Sequence, residues 1–242
     1  MLIMKNIFLL ASFTLIGLLS FAQDTKVIND KNAQKRSVQG FHGVKISSGI
    51  DLYLSQGSEE TVVVSASDPE VRDRIRTEVE NGILHIYMET NGFHWNMGNR
   101  KLRAYVSCKV IDQLTASGGS DVFIENALKS DRLNMNLSGG SDLHGKMTVG
   151  ELAITQSGGS DVYLSGSTTR LTVHVSGGSD FHGYDLSSND CRAEASGGSD
   201  AYLVVNKALD ASASGGSDIH YKGSVTGVVS HASGSGSVSR KE

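Results

Sequence analysis

The pentapeptide Ser-Gly-Gly-Ser-Asp occurs six times without a mismatch, at Ser117–Asp121, Ser138–Asp142, Ser157–Asp161, Ser176–Asp180, Ser196–Asp200 and Ser214–Asp218. The aspartates are separated by 21, 19, 19, 20 and 18 residues, and a worn seventh copy, Ser233–Ser237, follows after another 19. So regular a period marks a stacked repeat, in which one coil cannot bury its own apolar face and relies on its neighbours.

Aligned on the aspartate, the flanks alternate with period 2. Apolar residues stand nine positions before it (Leu133, Leu152, Leu171, Cys191, Leu209) and seven before (Leu114, Met135, Ile154, Val173, Ala193, Ala211), with polar residues such as Asn134, Thr172 and Arg192 between. Alternation of this kind is what a strand with one buried face requires; a helix needs apolar residues three and four apart. The residue after each aspartate is apolar again (Val122, Leu143, Val162, Phe181, Ala201, Ile219). Each coil therefore reads as strand, Gly-Gly corner, strand and short return loop. The glycines suit a corner because they reach positive φ without steric cost. The expected fold is all-β, a single-stranded parallel β-helix with coils of about 19 residues. Seven or so coils stacked at roughly 4.8 Å would make a rod about 30 Å long.

Upstream, residues 1–22 read as a secretory signal peptide, with Lys5 as the positive region, an apolar run over 7–21 and Ser20-Phe21-Ala22 as the cleavage site. That run is 15 residues, short for a membrane span. Residues 23–40 are polar and read as a flexible lead-in. Residues 41–108 read as a less regular β region that caps the rod, with one short helix started by Asp68 as N-cap and Pro69 at the first position. Residues 109–242 carry the repeat, and 41–242 are expected to form one continuous domain.

Two columns carry candidate chemistry. The motif aspartates, Asp121, Asp142, Asp161, Asp180, Asp200 and Asp218, would stack along one edge. Two charges about 4.8 Å apart repel by about 0.9 kcal/mol even at water's dielectric constant. Three arrangements answer this: hydrogen bonds from the Gly-Gly corner amides, screening by salt, or shared calcium ions, with the motif's serine hydroxyls as further oxygen ligands. One carboxylate per coil is thin for calcium, which takes six to eight oxygens, so no cofactor is required. Two residues after the aspartate the series runs Phe123, His144, Tyr163, His182, Tyr202, His220. This stripe should face outward, because its neighbour faces in. It suits either a binding strip for sugar or peptide, through its aromatic faces, or simple cross-coil stacking. Alternate histidines lie nearly 10 Å apart on this spacing, which disfavours a shared zinc with ligands about 2 Å away. Trp95, with Phe93, His94 and Arg100 in a loop outside the repeat, forms the other mixed-chemistry candidate.

No catalytic residues are assigned. The acids belong to the regular repeat, whereas catalysis needs different groups converging at one point, so a polysaccharide-active enzyme is the disfavoured reading. Nucleic acid is disfavoured as a partner, since removal of Lys5 with the leader takes the net charge from −4 to −5. The two cysteines fall on different coils, about four apart, too far for a disulfide, and read as buried free thiols.

The stretch Phe41–Gly57 with its Gly49-Ile50-Asp51, the Asn81-Gly82-Ile83-Leu84 turn and the Ile111-x-x-Leu114 lead into the first full motif resemble the bacterial "putative auto-transporter adhesin, head GIN domain" family over roughly residues 38–225. Asp51 stands where that family's name has Asn. The resemblance implies an exported protein of the periplasm or cell surface, with a right-handed β-helix, the common hand of β crossovers. The expected function is a binding or adhesion module that presents its ladder face to a glycan or protein. The alternative is a structural element of the envelope that self-associates through its coil ends.

Overall fold

Alternation in the sequence becomes columns in space. In the computed structural model, which describes residues 30–89 and 101–242, the residue after every motif aspartate is buried, as are the leucine and valine columns nine and seven positions before it. Each coil contributes one apolar side chain per column, so the core is a set of stacks running along the rod axis and no coil owns a core of its own. The fold is a parallel β-solenoid. Residues 1–22, read as a leader, and the loop with Phe93, His94, Trp95 and Arg100 lie outside the described residues.

The chain enters through β1 (Gln34–Arg36), β2 (Gly43–Ile46), β3 (Asp51–Gln56) and β4 (Thr61–Ser65). Helix α1 (Pro69–Arg72) follows, its first turn capped by Asp68, whose carboxylate accepts from the Glu70 amide at 2.7 Å. Then come β5 (Ile75–Glu80), β6 (Ile83–Met88), β7 (Arg103–Cys108), β8 (Gln113–Ala116) and β9 (Val122–Ile124). The pairing gives the N-terminal β region its form. Strand β2 pairs in parallel with β6 on one side and β8 on the other, and β3 pairs likewise with β7 and β9. Residues 41–108 thus hold two solenoid coils, β6–β7 at the end of the rod and β2–β3 above it, visited out of sequence order. The covering of that end is antiparallel: β5 on β6, β4 on β7, and β1 on β4. This occupies ladder groups that an open sheet edge would expose. Gln34–Arg36, expected within a flexible lead-in, is the outermost of these strands. It is tied down by the Arg36 guanidinium donating to the carbonyls of Arg72 and Ile75 at 3.1 and 3.3 Å.

Above β9 the strands lengthen: β10 (Leu128–Ser138), β11 (Leu143–Ser157), β12 (Val162–Gly177), β13 (Asp180–Gly197) and β14 (Asp200–Gly215). The rod ends in β15 (Asp218–Lys222), β16 (Gly227–Ala232) and β17 (Ser237–Arg240). No return loop separates successive motifs in the middle of the rod. Strand β13 runs unbroken for 18 residues, and the chain bends by slips of register, between Tyr163 and Ser165 against β12 and between His182 and Ser187 against β14. Bulges of this kind turn a strand without ending it. Cys108 and Cys191 are both free and buried, and burial pushes their thiols up to about 11 and about 12 respectively.

The motif glycines do not all do the same work. The first glycine of each full copy has positive φ, but the second does so only at Gly119, Gly140 and Gly159. The change falls after the coil of Gln156, whose buried side chain donates to the carbonyls of Ser160 and Asp180 at 2.8 and 3.0 Å across the two corners. A Cβ on Gly177 (φ +80°) would sit 3.1 Å from the Gly158 amide nitrogen, while one on Gly178 would meet nothing within 4 Å. Gly177→Ala should therefore cost about 1–2 kcal/mol for its left-handed backbone and lower the Tm by about 3–6 °C. Gly178→Ala should leave Tm within about 1 °C. Thermal unfolding of the two variants checks this, and equal losses would contradict the corner geometry.

Candidate functional site

The corner is built from its serine and its aspartate. The second serine of every full motif (Ser120, Ser141, Ser160, Ser179, Ser199, Ser217) is at most 1% exposed. In the lower coils its hydroxyl accepts an amide from the coil beneath: Ile50 to Ser120 at 3.0 Å, Ser120 to Ser141 at 3.0 Å, Ser160 to Ser179 at 3.0 Å. In the upper coils the same hydroxyl bonds its own corner and the coil below, Ser199 donating to the Val175 carbonyl at 3.1 Å. These serines face the core and are spent there, so they offer no oxygens to a cation outside.

The aspartates form a second ladder, and its donor is not a glycine amide. Oδ1 of Asp121, Asp142, Asp161, Asp180 and Asp200 each accepts the backbone N–H of the next aspartate, at 2.9–3.1 Å. Asp218 accepts the Ser237 hydroxyl at 2.6 Å. The ladder also begins one coil earlier than the exact motif suggests. Ser47-Ser48-Gly49-Ile50-Asp51 is a degenerate copy: Ser48 and Gly49 take φ of 73° and 68°, as Gly118 and Gly119 do, and the Asp121 amide donates to the Asp51 carboxylate. A search for the literal pentapeptide misses it; aligning Gly49 and Asp51 on the repeat would have found it. Among the described residues no group of three or more His, Cys, Asp or Glu side chains converges as a metal site. The carboxylates are met by amides one per coil, which does not fit the many-oxygen shell of calcium.

Next to the carboxylates stands a continuous stack of rings. It runs Tyr105, Tyr53, Phe123, His144, Tyr163, His182, Tyr202, His220, with successive centroids 4.3–5.9 Å apart. From Phe123 to Tyr202 the planes are within 6° of parallel. All six stripe residues expected from sequence are in it, joined by Tyr53 and Tyr105, which lie outside the repeat and were missed. The stack is the cross-coil stacking a parallel sheet favours. Ring faces are thereby turned to one another, and what reaches solvent is edges with their hydroxyl and imidazole tips. Flat stacking of a sugar on an open ring face is not what this column offers. Burial, and after it the charges of Asp161, Asp142 and Asp180, raise the Tyr163 phenol above its ordinary value and keep it a donor.

A groove of about 490 Å³ runs beside the stack, lined by His144, Tyr163, His182 and Tyr202 of the stack together with Ser165, Tyr184 and Asp185. Tyr184 is extra to the repeat: Tyr163 pairs with His182, but Ser165 pairs with Asp185. Its ring stands 70° to Tyr202, with the Lys222 ammonium 4.5 Å from its centroid. A larger trough of about 890 Å³ lies on another face. Its lining mixes Ser and Thr with Gln56, Lys129, Asp131 and Asn189, it has no aromatic ring, and Asp112 and Arg132 within it are tied to His42 and Glu151. The ring-side groove carries the richer chemistry.

Asp51 makes the ladder testable. Desolvation first, then the charge of Asp121, raises its carboxyl above the ordinary value. Its protonated form is favoured by folding, so its contribution is present below the unfolded carboxylate value and is lost as pH rises through the elevated folded one. At pH 7 the charge is a net cost. Asp51→Asn keeps an acceptor for the Asp121 amide and should raise Tm by about 1–2 °C at pH 7, with the gain disappearing near pH 3. A fall in Tm at pH 7 would show that the charge itself is needed.

A model of the family described as "putative auto-transporter adhesin, head GIN domain" matches residues 40–224. Among solved structures the chain is similar to a putative adhesin from Bacteroides fragilis (TM-score 0.80, 20% identity, covering 86% of this chain and 96% of that one). It is also similar to a putative adhesin from Parabacteroides merdae (TM-score 0.70, 17% identity, 87% and 95%). A third is described as a putative lipid binding protein from Parabacteroides distasonis (TM-score 0.64, 17% identity, 87% and 96%). At these identities the likeness is one of fold. No curated protein matches.

Proposed function

Because this chain belongs to the putative auto-transporter adhesin, head GIN domain family, we propose that it is a non-catalytic binding module of the bacterial cell envelope that docks a glycan along its ring face. The reading takes the apolar run in residues 1–22 as an export leader. No helix among the described residues is long and apolar enough to cross a membrane.

The observation that carries the proposal is the ring column itself. Eight aromatic or imidazole rings stack without interruption on one outward face, beside an unbroken ladder of carboxylates. Such a face presents phenol and imidazole tips at a regular spacing, a row of donors and acceptors suited to hydroxyls. A protein partner is the poorer match. The large exposed hydrophobics among the described residues are Val110, Tyr163, Val228 and Val229, and of these Tyr163 is the one on the ring face. The core of a protein interface is depleted in charge and more apolar than that.

Affinity electrophoresis through gels cast with soluble polysaccharides tests the proposal. At least one polysaccharide should retard the protein, and Tyr163→Ala combined with Tyr202→Ala should weaken that retardation at least about tenfold, the loss of one or two hydrogen bonds. Circular dichroism confirms that the double variant is folded, and His174→Gln, on a different column, should behave as wild type. Retardation by no polysaccharide, or equal retardation of the double variant, would overturn the reading.

A further inference from the structure

The ring face is regular except at one place, the groove beside the Gly183–Asp185 bulge. We infer that this groove is the specificity site, taking one neutral hexopyranose residue through its vicinal hydroxyls and rejecting acidic sugars; the inference rests on the glycan reading above.

Partnering separates these side chains from Tyr202 and His220 at the upper end of the stack. Tyr202 is tied to Asp200 at 3.5 Å and His220 to Ser239 at 2.8 Å, and elsewhere His42 and His174 are tied to Asp112 and Glu194. By contrast, the side chains of His144, Tyr163, His182 and Asp185 make no hydrogen bond or ion pair with any described residue, and all four residues line the same groove. Tyr163, at 39%, and His144 are also the exposed rings of the column. Free polar tips gathered in one concavity, on rings whose faces are already used, mark groups held ready for a ligand outside the chain. The volume, about 490 Å³, lies within the range of small-molecule sites.

The chemistry of the tips names the ligand. A phenol and a neutral imidazole each donate and accept, as a sugar hydroxyl does, and a carboxylate can accept from two neighbouring hydroxyls at once. The surroundings then select for charge. The carboxylates of Asp142, Asp161 and Asp180 act on Tyr163, and Asp185 lines the groove with it. No Lys or Arg lines the groove, and the Lys222 ammonium sits over the Tyr184 ring, 4.5 Å from its centroid. Four carboxylates against that one ammonium leave an anionic sugar facing net like charge. Slipping the register by one residue places Tyr184 and Asp185 here. Stacking of the coils does not call for that insertion.

The test uses saturation-transfer NMR on the full chain with methyl glucoside, galactoside and mannoside in both anomers, each matched with its uronic acid. At least one neutral glycoside should bind, its uronic acid should bind at least about tenfold more weakly, and Tyr163→Phe and Asp185→Asn should each weaken the neutral ligand by about three- to tenfold. Tyr163→Phe and His182→Phe keep the ring stack, so folding is preserved while the tips are removed. Binding of the uronic acids equal to that of the neutral sugars, or unchanged binding in both variants, would overturn the inference. So would lysine- or arginine-containing peptides binding at these residues in place of the glycosides. If polysaccharides still retard the protein while no glycoside binds, this site is wrong and the ring-face reading stands. If no polysaccharide retards it, both fall.

Discussion

Asp121, Asp142, Asp161, Asp180 and Asp200 each accept a hydrogen bond from the amide of the aspartate one coil further on, and the rest of the rod depends on that rung. Stacked carboxylates at the coil spacing repel by about 0.9 kcal/mol at water's dielectric constant. A hydrogen bond to a charged acceptor contributes about 1.5–3 kcal/mol. The rung therefore outweighs the repulsion it creates, and it fixes the height of every corner relative to the next. The inward serine at the neighbouring position does the same for the core side of the corner. With corners locked at one height, apolar columns on one side and ring columns on the other fall into register without further instruction.

This division explains why the most conspicuous residues of the sequence are not the ones proposed to meet a ligand. The repeated Ser and Asp are consumed by the backbone of the next coil, and most ring faces are consumed by neighbouring rings. What remains for recognition is what the repeat leaves over. Those remainders are the tips of Tyr163, His144 and His182, and the two residues, Tyr184 and Asp185, that arrive where the register slips. A stiff periodic scaffold supplies position, and an interruption of the period supplies chemistry.

Much of this was legible in the sequence. Period 2 within a 19-residue repeat specified the strands, the inward columns and the outward stripe, because burial alternates with the side-chain direction of a strand. The Asp68-Pro69 helix start was legible for an equally local reason. Other features were hidden because they arise from pairing. That β2 lies between β6 and β8 depends on the chain doubling back, which no local pattern records. Asp51 and Tyr53 join the ladders from a degenerate copy that the literal pentapeptide misses, and only spatial stacking shows that Tyr105 is a rung. Of the three arrangements the sequence left open, none named the next aspartate's amide as the donor, since the sequence displays the side chains of a corner and not the direction of its amides. The face-to-face packing of the rings, which removes their faces from use, follows from a parallel in-register ladder but needs the angles to be seen.

The most direct measurement is amide hydrogen exchange by NMR at the aspartates of the corner. The account predicts that the amides of Asp142, Asp161, Asp180, Asp200 and Asp218 exchange as slowly as those of the flanking strand residues, although they sit at the mouth of a glycine turn. It further predicts that Asp161→Ala releases the Asp180 amide selectively. Fast exchange at these five amides, or no change at Asp180 when Asp161 is truncated, would contradict the claim that the carboxylate–amide rung holds the solenoid in register.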